Sequence, residues 1–210
     1  MLQIPQKDGT FSPLLFKRRD MQQIASAMIS DPKNAAALVQ VYGAMAAGIT
    51  EPLVGLLGYF HTPNQPIAYG AMSTLMDIAS GTGASRRAEI AEQAETALLG
   101  PYLNQPVELE DVDPSLVLGD AFRTAPVSDV PVLLLSGTLD GRTYLLSQRE
   151  AVAGLRNAQI VTVVNAGHNL FMSSPEVTTT IKRFMGDDPL LSEEILIDLP
   201  AFAEVPAIGG

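Results

Sequence analysis

The chain has 210 residues, 47% hydrophobic and only 17% charged, a balance that supplies a packed core and argues against disorder. Its net charge of −10 disfavours nucleic acid and anionic membrane surfaces as partners, because both require clustered Lys and Arg. Cysteine is absent, which excludes disulfides, thiolate metal sites and a cysteine nucleophile.

Residues 1–19 read as an extended, irregular lead-in with a turn at Lys7-Asp8-Gly9. The one basic run, Lys17-Arg18-Arg19, reads as a solvated helix start. From residue 20 to about 100 the pattern is helical. Asp20 is placed to cap a first helix with Met21, Ile24 and Met28 on its apolar face. Asp31-Pro32 is a cap followed by proline at the first helical position, and Leu38, Val41, Tyr42 and Met45 follow at helical spacing until Gly48. Thr50 with Pro52 starts a third helix. Pro66 opens a fourth, carrying Ile67, Ala71 and Leu75, and Ser85 caps a fifth that runs to Gly100. The apolar stretch from Ala35 to Phe60 is interrupted by Gln40, Glu51 and Pro52, so no membrane span is expected. Residues 101–130 are proline-rich and acidic (Glu108, Glu110, Asp111, Asp113, Asp120) and read as a connection with a solvated acidic surface and a helical turn near Gly119 to Arg123.

From Val130 the period changes. A strand over 131–136, a helix near 145–154, a strand over 160–164 and a helix near 174–185 alternate as β-α-β-α, which implies a parallel sheet. Ser173 and Glu176 have capping-box spacing around Pro175, with Val177, Ile181 and Phe184 on one face. Residues 189–210 alternate apolar and acidic residues and read as a surface tail. Two strands cannot stand alone as a parallel sheet, since both edges and most of each face would be exposed. Further strands are therefore expected from an upstream segment or a second chain.

The chemistry sits just past the two strands. Pro131-Val-Leu-Leu-Leu-Ser-Gly-Thr-Leu-Asp140-Gly-Arg-Thr143 and Val161-Thr-Val-Val-Asn-Ala-Gly-His168-Asn169 each end in a turn that carries one ionisable residue. Open α/β sheets place catalysis outside the carboxyl ends of their strands. An acid followed by a histidine, with room for one helical crossover between them, is the second half of the Ser…Asp…His order. Taken singly, Asp140-Gly141 is also an ordinary turn dipeptide and a lone histidine is an ordinary packing residue; the pairing at matched strand ends is what favours chemistry. No Gly-x-Ser-x-Gly elbow occurs. Ser80-Gly-Thr-Gly-Ala-Ser85 lies between helices and lacks the Gly-Lys-Ser/Thr ending of a phosphate loop, and Ser136 reads as turn-forming. The two histidines, His61 and His168, lack His-Glu-x-x-His spacing; His61 reads as packing, and neither metal nor cofactor is expected.

The segments from Leu118 to Thr143, Asn165 to Asn169 and Phe171 to Glu176 resemble the α/β-hydrolase family of proline-iminopeptidase-like and tripeptidyl-aminopeptidase-like serine peptidases. The resemblance implies the C-terminal part of an α/β-hydrolase fold over 121–188, preceded by a helical cap over 20–120. It implies Asp140 as triad acid and His168 as triad base, with the nucleophilic serine and oxyanion donors having no position in this sequence. Cap acids of that family meet a free peptide N-terminus, which makes Asp77 and Glu51 substrate-binding candidates. Implied partners are a small-molecule or peptide substrate and the nucleophile-bearing N-terminal half. Two alternatives stay open: a non-catalytic fragment acting as a binding module, and another α/β-hydrolase chemistry such as an esterase, dehalogenase or epoxide hydrolase. No signal-peptide pattern follows Met1, and the residues do not distinguish a cytoplasmic from an exported protein.

Overall fold

The structure is a computed structural model that describes residues 1–6, 8–60, 70–104, 110–171 and 173–201. Lys7, His61, Pro66, Ile67 and Glu108, all singled out in the sequence, lie outside them. The described residues form two compact units, Met1–Ala25 with Ala37–Phe122, and Ser26–Ala36 with Arg123–Ala201.

The first unit opens on a hairpin. Strands β1 (Leu2–Pro5) and β2 (Phe11–Leu14) pair antiparallel with Leu2 opposite Leu14, so the lead-in is ordered where an irregular segment was expected. The turn is closed by Gln6 N–H donating to the Thr10 carbonyl at 2.8 Å. Ile4 is fully buried, and β1 packs against helix α3 (Glu51–Phe60), whose Leu53 and Leu57 are buried.

Helices α1 (Arg18–Met28) and α2 (Pro32–Ala46) bury most of the apolar faces read from their periodicity: Met21, Ile24 and Met28 in one, Leu38 and Val41 in the other, with Met45 half-buried and Tyr42 exposed. Asp20 does not precede α1. It sits in the first turn and its carboxylate accepts the Lys17 N–H at 2.7 Å, the return arm of a capping box. Asp31 caps α2 as expected, accepting from the N–H groups of Lys33 and Asn34.

Helices α4 (Ala71–Ser80) and α5 (Ala84–Thr96) depart from the expected bounds. The buried residue of α4 is Ile78, while Ala71 and Leu75 are exposed. Gly83, not Ser85, is the N-cap of α5, and the helix stops at Thr96, before Gly100. Helix α6 (Asp120–Arg123) is the short turn expected there. In the acidic stretch Asp111, Asp113 and Asp120 are exposed, but Glu110 is buried, because Arg87 of α5 pairs with its carboxylate. An ion pair lets a carboxylate leave water, which the solvated reading of this run did not foresee. Among the described residues no helix is long and apolar enough to cross a membrane.

The second unit is α/β. Strands β3 (Val132–Gly137), β4 (Ala158–Val164) and β5 (Glu194–Leu196) form a parallel sheet in the order β3-β4-β5. Helix α7 (Leu145–Val152) links β3 to β4, and helix α8 (Pro175–Met185) lies between β4 and β5. The third strand was not expected: Ile195 is buried on the sheet, so residues 194–196 of the acidic tail are structural. Val161, Val163, Ala166, Val177 and Ile195 form the core, with Leu133, Leu135 and Ile181 packed against it. Burying each such aliphatic side chain contributes about 1.5–3 kcal/mol. Helix α8 is capped by Ser174, whose hydroxyl accepts the Val177 N–H, one residue later than the Ser173 capping box the spacing suggested.

Candidate active site

The parallel register sets Ser136 beside Thr162 and Gly137 beside Val163, so the carboxyl ends of β3 and β4 finish side by side. The loops that leave them are then fastened to each other. Thr138 N–H donates to the Val163 carbonyl at 3.2 Å, and Leu139 N–H to the Ala166 carbonyl at 2.8 Å. Asn165 turns the chain at a φ of 69°; its N–H donates to Thr138 Oγ1 and its amide to the Ile197 carbonyl, both at 2.9 Å. The β3 and β4 loops approach so closely that a Cβ at Gly137 would collide with the Gly167 and Ala166 carbonyl oxygens.

This scaffold brings together the two residues singled out at the strand ends. His168 Nδ1 lies 2.9 Å from Asp140 Oδ2. The acid side chain is 4% exposed and the histidine 35%. Asp140 also folds its own loop: Oδ1 accepts the N–H groups of Arg142 at 2.8 Å and Thr143 at 2.9 Å. A carboxylate only accepts, so the Nδ1 contact fixes the proton on Nδ1 and leaves Nε2 as the basic nitrogen of a neutral ring. A buried acid holding a half-exposed histidine in one tautomer is the arrangement a general base needs.

Two contributors were not legible in the sequence. The first is the strip between α1 and α2. His168 N–H donates to the Ser30 carbonyl at 2.8 Å, and a Cβ at Gly167 would collide with Ser30 O and the Pro32 ring. Gly141, beside the acid, is pressed in the same way against the Ile29 carbonyl. The second is Gln148 in α7, whose amide Nε2 donates to Asp140 Oδ2 at 3.3 Å and to the Thr143 carbonyl.

The remaining sequence candidates stand elsewhere. Glu51 is exposed in the first turn of α3 and Asp77 half-buried in α4, both within the first unit. Ser136 is not in a turn: it is a β3 residue, 1% exposed, with a hydroxyl that has no hydrogen-bond partner among the described residues. Such a hydroxyl is shut away from any substrate. A cavity of about 620 Å³ borders the histidine loop through Asn165, Gly167 and Asn169, with Ser174, Glu176 and Asp198 in its wall; neither Asp140 nor His168 lines it.

Comparison with known proteins adds one finding. Residues 119–190 match an α/β-hydrolase family model described as TAP-like protein. The matched stretch holds β3, α7, β4 and α8, and with them Asp140 and His168. It supports an α/β-hydrolase family member with a hydrolase-type function. No curated protein and no solved structure matches the chain.

Proposed function

We propose that this chain supplies the acid and the base of a serine hydrolase of aminopeptidase-like type, acting on peptides or on aminoacyl esters and amides. The observation that carries the reading is the 2.9 Å contact between His168 Nδ1 and buried Asp140 Oδ2, at the ends of adjacent parallel strands.

In this reading His168 Nε2 takes the proton from a serine hydroxyl as it attacks the substrate carbonyl, and returns it to the leaving group. Asp140 holds the ring in the required tautomer and stabilises the imidazolium that forms between those events. Losing such an acid costs about 10⁴ in turnover, or roughly 5 kcal/mol of transition-state stabilisation. The nucleophile and the oxyanion donors come from a segment outside these 210 residues. Residues 20–120 act as a lid, and Glu51 and Asp77 are the acids that would meet a substrate's free amine. Support for the lid and for the aminopeptidase substrate comes from the sequence resemblance alone.

A fluorophosphonate probe applied to native material, followed by intact-mass analysis, tests this directly. The expected result is a labelled serine outside this sequence and no label on these 210 residues. Turnover of aminoacyl amides should fall about 10⁴-fold in Asp140→Asn and at least as far in His168→Ala. Unchanged turnover in the His168 variant would remove the assignment. A covalent ester on an upstream aspartate, with no serine label, would redirect it to epoxide-hydrolase or dehalogenase chemistry.

A further inference from the structure

Gln148 is a buried-side amide with an uneven hydrogen-bond balance. Its nitrogen faces two acceptors, Asp140 Oδ2 at 3.3 Å and the Thr143 carbonyl. Because both neighbours only accept, the amide orientation follows from chemistry: the oxygen cannot be the atom that faces them. That leaves Oε1 buried, with no partner among the described residues. An orphaned buried acceptor costs stability, and an apolar side chain of the same length would not carry that cost. Packing therefore does not explain a glutamine here. What the amide does achieve is local: it bridges the acid's carboxylate to the acid's own loop from helix α7, which packs on β3.

The consequence falls on one oxygen. Oδ1 of Asp140 is held by two backbone N–H groups, whereas Oδ2 serves His168 and Gln148 together. Without Gln148 the backbone donors would still fold the loop, but the carboxylate could rotate about its Cβ–Cγ bond and the Oδ2 charge would be shared with nothing except the imidazole. We infer that Gln148 is a positioning residue, which fixes the plane of the Asp140 carboxylate and divides the Oδ2 charge between the helix and the histidine. The inference rests on the acid–base reading of Asp140 and His168.

The test uses two variants of near-native shape in the native enzyme, Gln148→Met, which removes donor and orphaned acceptor together, and Gln148→Glu, which keeps the shape and replaces the donor by an acceptor. Turnover should fall about 10- to 100-fold in both, the range seen when outer partners of metal-bound histidines are removed. Thermal stability of Gln148→Met should stay close to that of the parent, because the Thr143 carbonyl loses its donor while the orphaned Oε1 is removed; a purely structural role would instead lower stability in step with turnover. A spectroscopic readout is independent of turnover: comparison with His168→Ala assigns the imidazole ¹⁵N–H signals of His168. The Nδ1 proton of His168 should move downfield in Gln148→Met, as Oδ2 loses its second donor. Parental turnover and an unmoved Nδ1 proton in Gln148→Met, alongside inactive Asp140→Asn and His168→Ala, overturn the inference and leave the acid–base reading standing. Unimpaired Asp140→Asn and His168→Ala overturn both.

Discussion

Asp140 meets four donors with two oxygens, and three of those donors belong to its own loop and the helix that follows. The acid is therefore built before the histidine arrives, which is why a strand followed by Leu-Asp-Gly announces it in the sequence. His168 is legible for the same reason, as the ionisable residue in a glycine-bearing turn after a β-branched run. Gln148 and Ser30 are not, because nothing local distinguishes an inward-facing glutamine from an exposed one, or one backbone carbonyl from another. The glycine before the histidine gives a test of the non-local part. Gly167→Ala forces a Cβ against the Ser30 carbonyl and the Pro32 ring, and backbone cannot yield as a flexible side chain would. We expect a loss of about 3 kcal/mol, and a melting temperature lower by roughly 6–12 °C for a chain of this size. An unchanged thermal transition would mean that the histidine loop does not press on residues 30–32.

At the level of elements, β3, β4 and α8 were readable because each carries several apolar residues in a clear period. β5 was not: a three-residue strand with one buried side chain, Ile195, gives no period, and the acids around it read as surface. Helix α4 failed differently: Ile78 continues the stripe suggested by Ala71 and Leu75, yet of the three only Ile78 is buried, so the period gives the face and not how far along the helix it is covered. The start of α8 is a prediction in its own right. Ser174→Ala removes the hydroxyl that accepts the Val177 N–H, and should cost about 1 kcal/mol in chemical unfolding. Glu176 in the same turn has its carboxyl held below its ordinary value, first by its own backbone N–H and then by the Ser174 hydroxyl. A lowered value means that its contribution is present above the unfolded pKa near 4.5 and fades as pH falls through the folded one. The parent-to-variant difference should accordingly be larger at pH 7 than below pH 4. A difference that is flat across that range would show that the turn does not depend on the carboxylate.

For the whole molecule the telling feature is β3. It is apolar over residues 132–135, pairs with β4 on one side, and has no strand on its other edge among the described residues. A parallel strand with an open edge invites further pairing. The 210-residue chain on its own should therefore associate with rising concentration in sedimentation velocity and bind an apolar dye. A monomer that binds no dye over the whole range would argue that the β3 edge needs no neighbour.

The bond from His168 to Ser30 also bears on what can be inherited or moved as a unit. The matched family segment starts at residue 119, yet the main-chain support of its histidine comes from a strip that is synthesised long before it. A polypeptide cut out at residue 119 would carry both ionisable residues and still lack the floor under one of them. Shuffling the segment into another protein would carry the supported histidine loop only together with residues 26–36. During synthesis that strip must wait, unsatisfied, for the last strands to emerge, so the histidine loop should be among the latest parts of the fold to set.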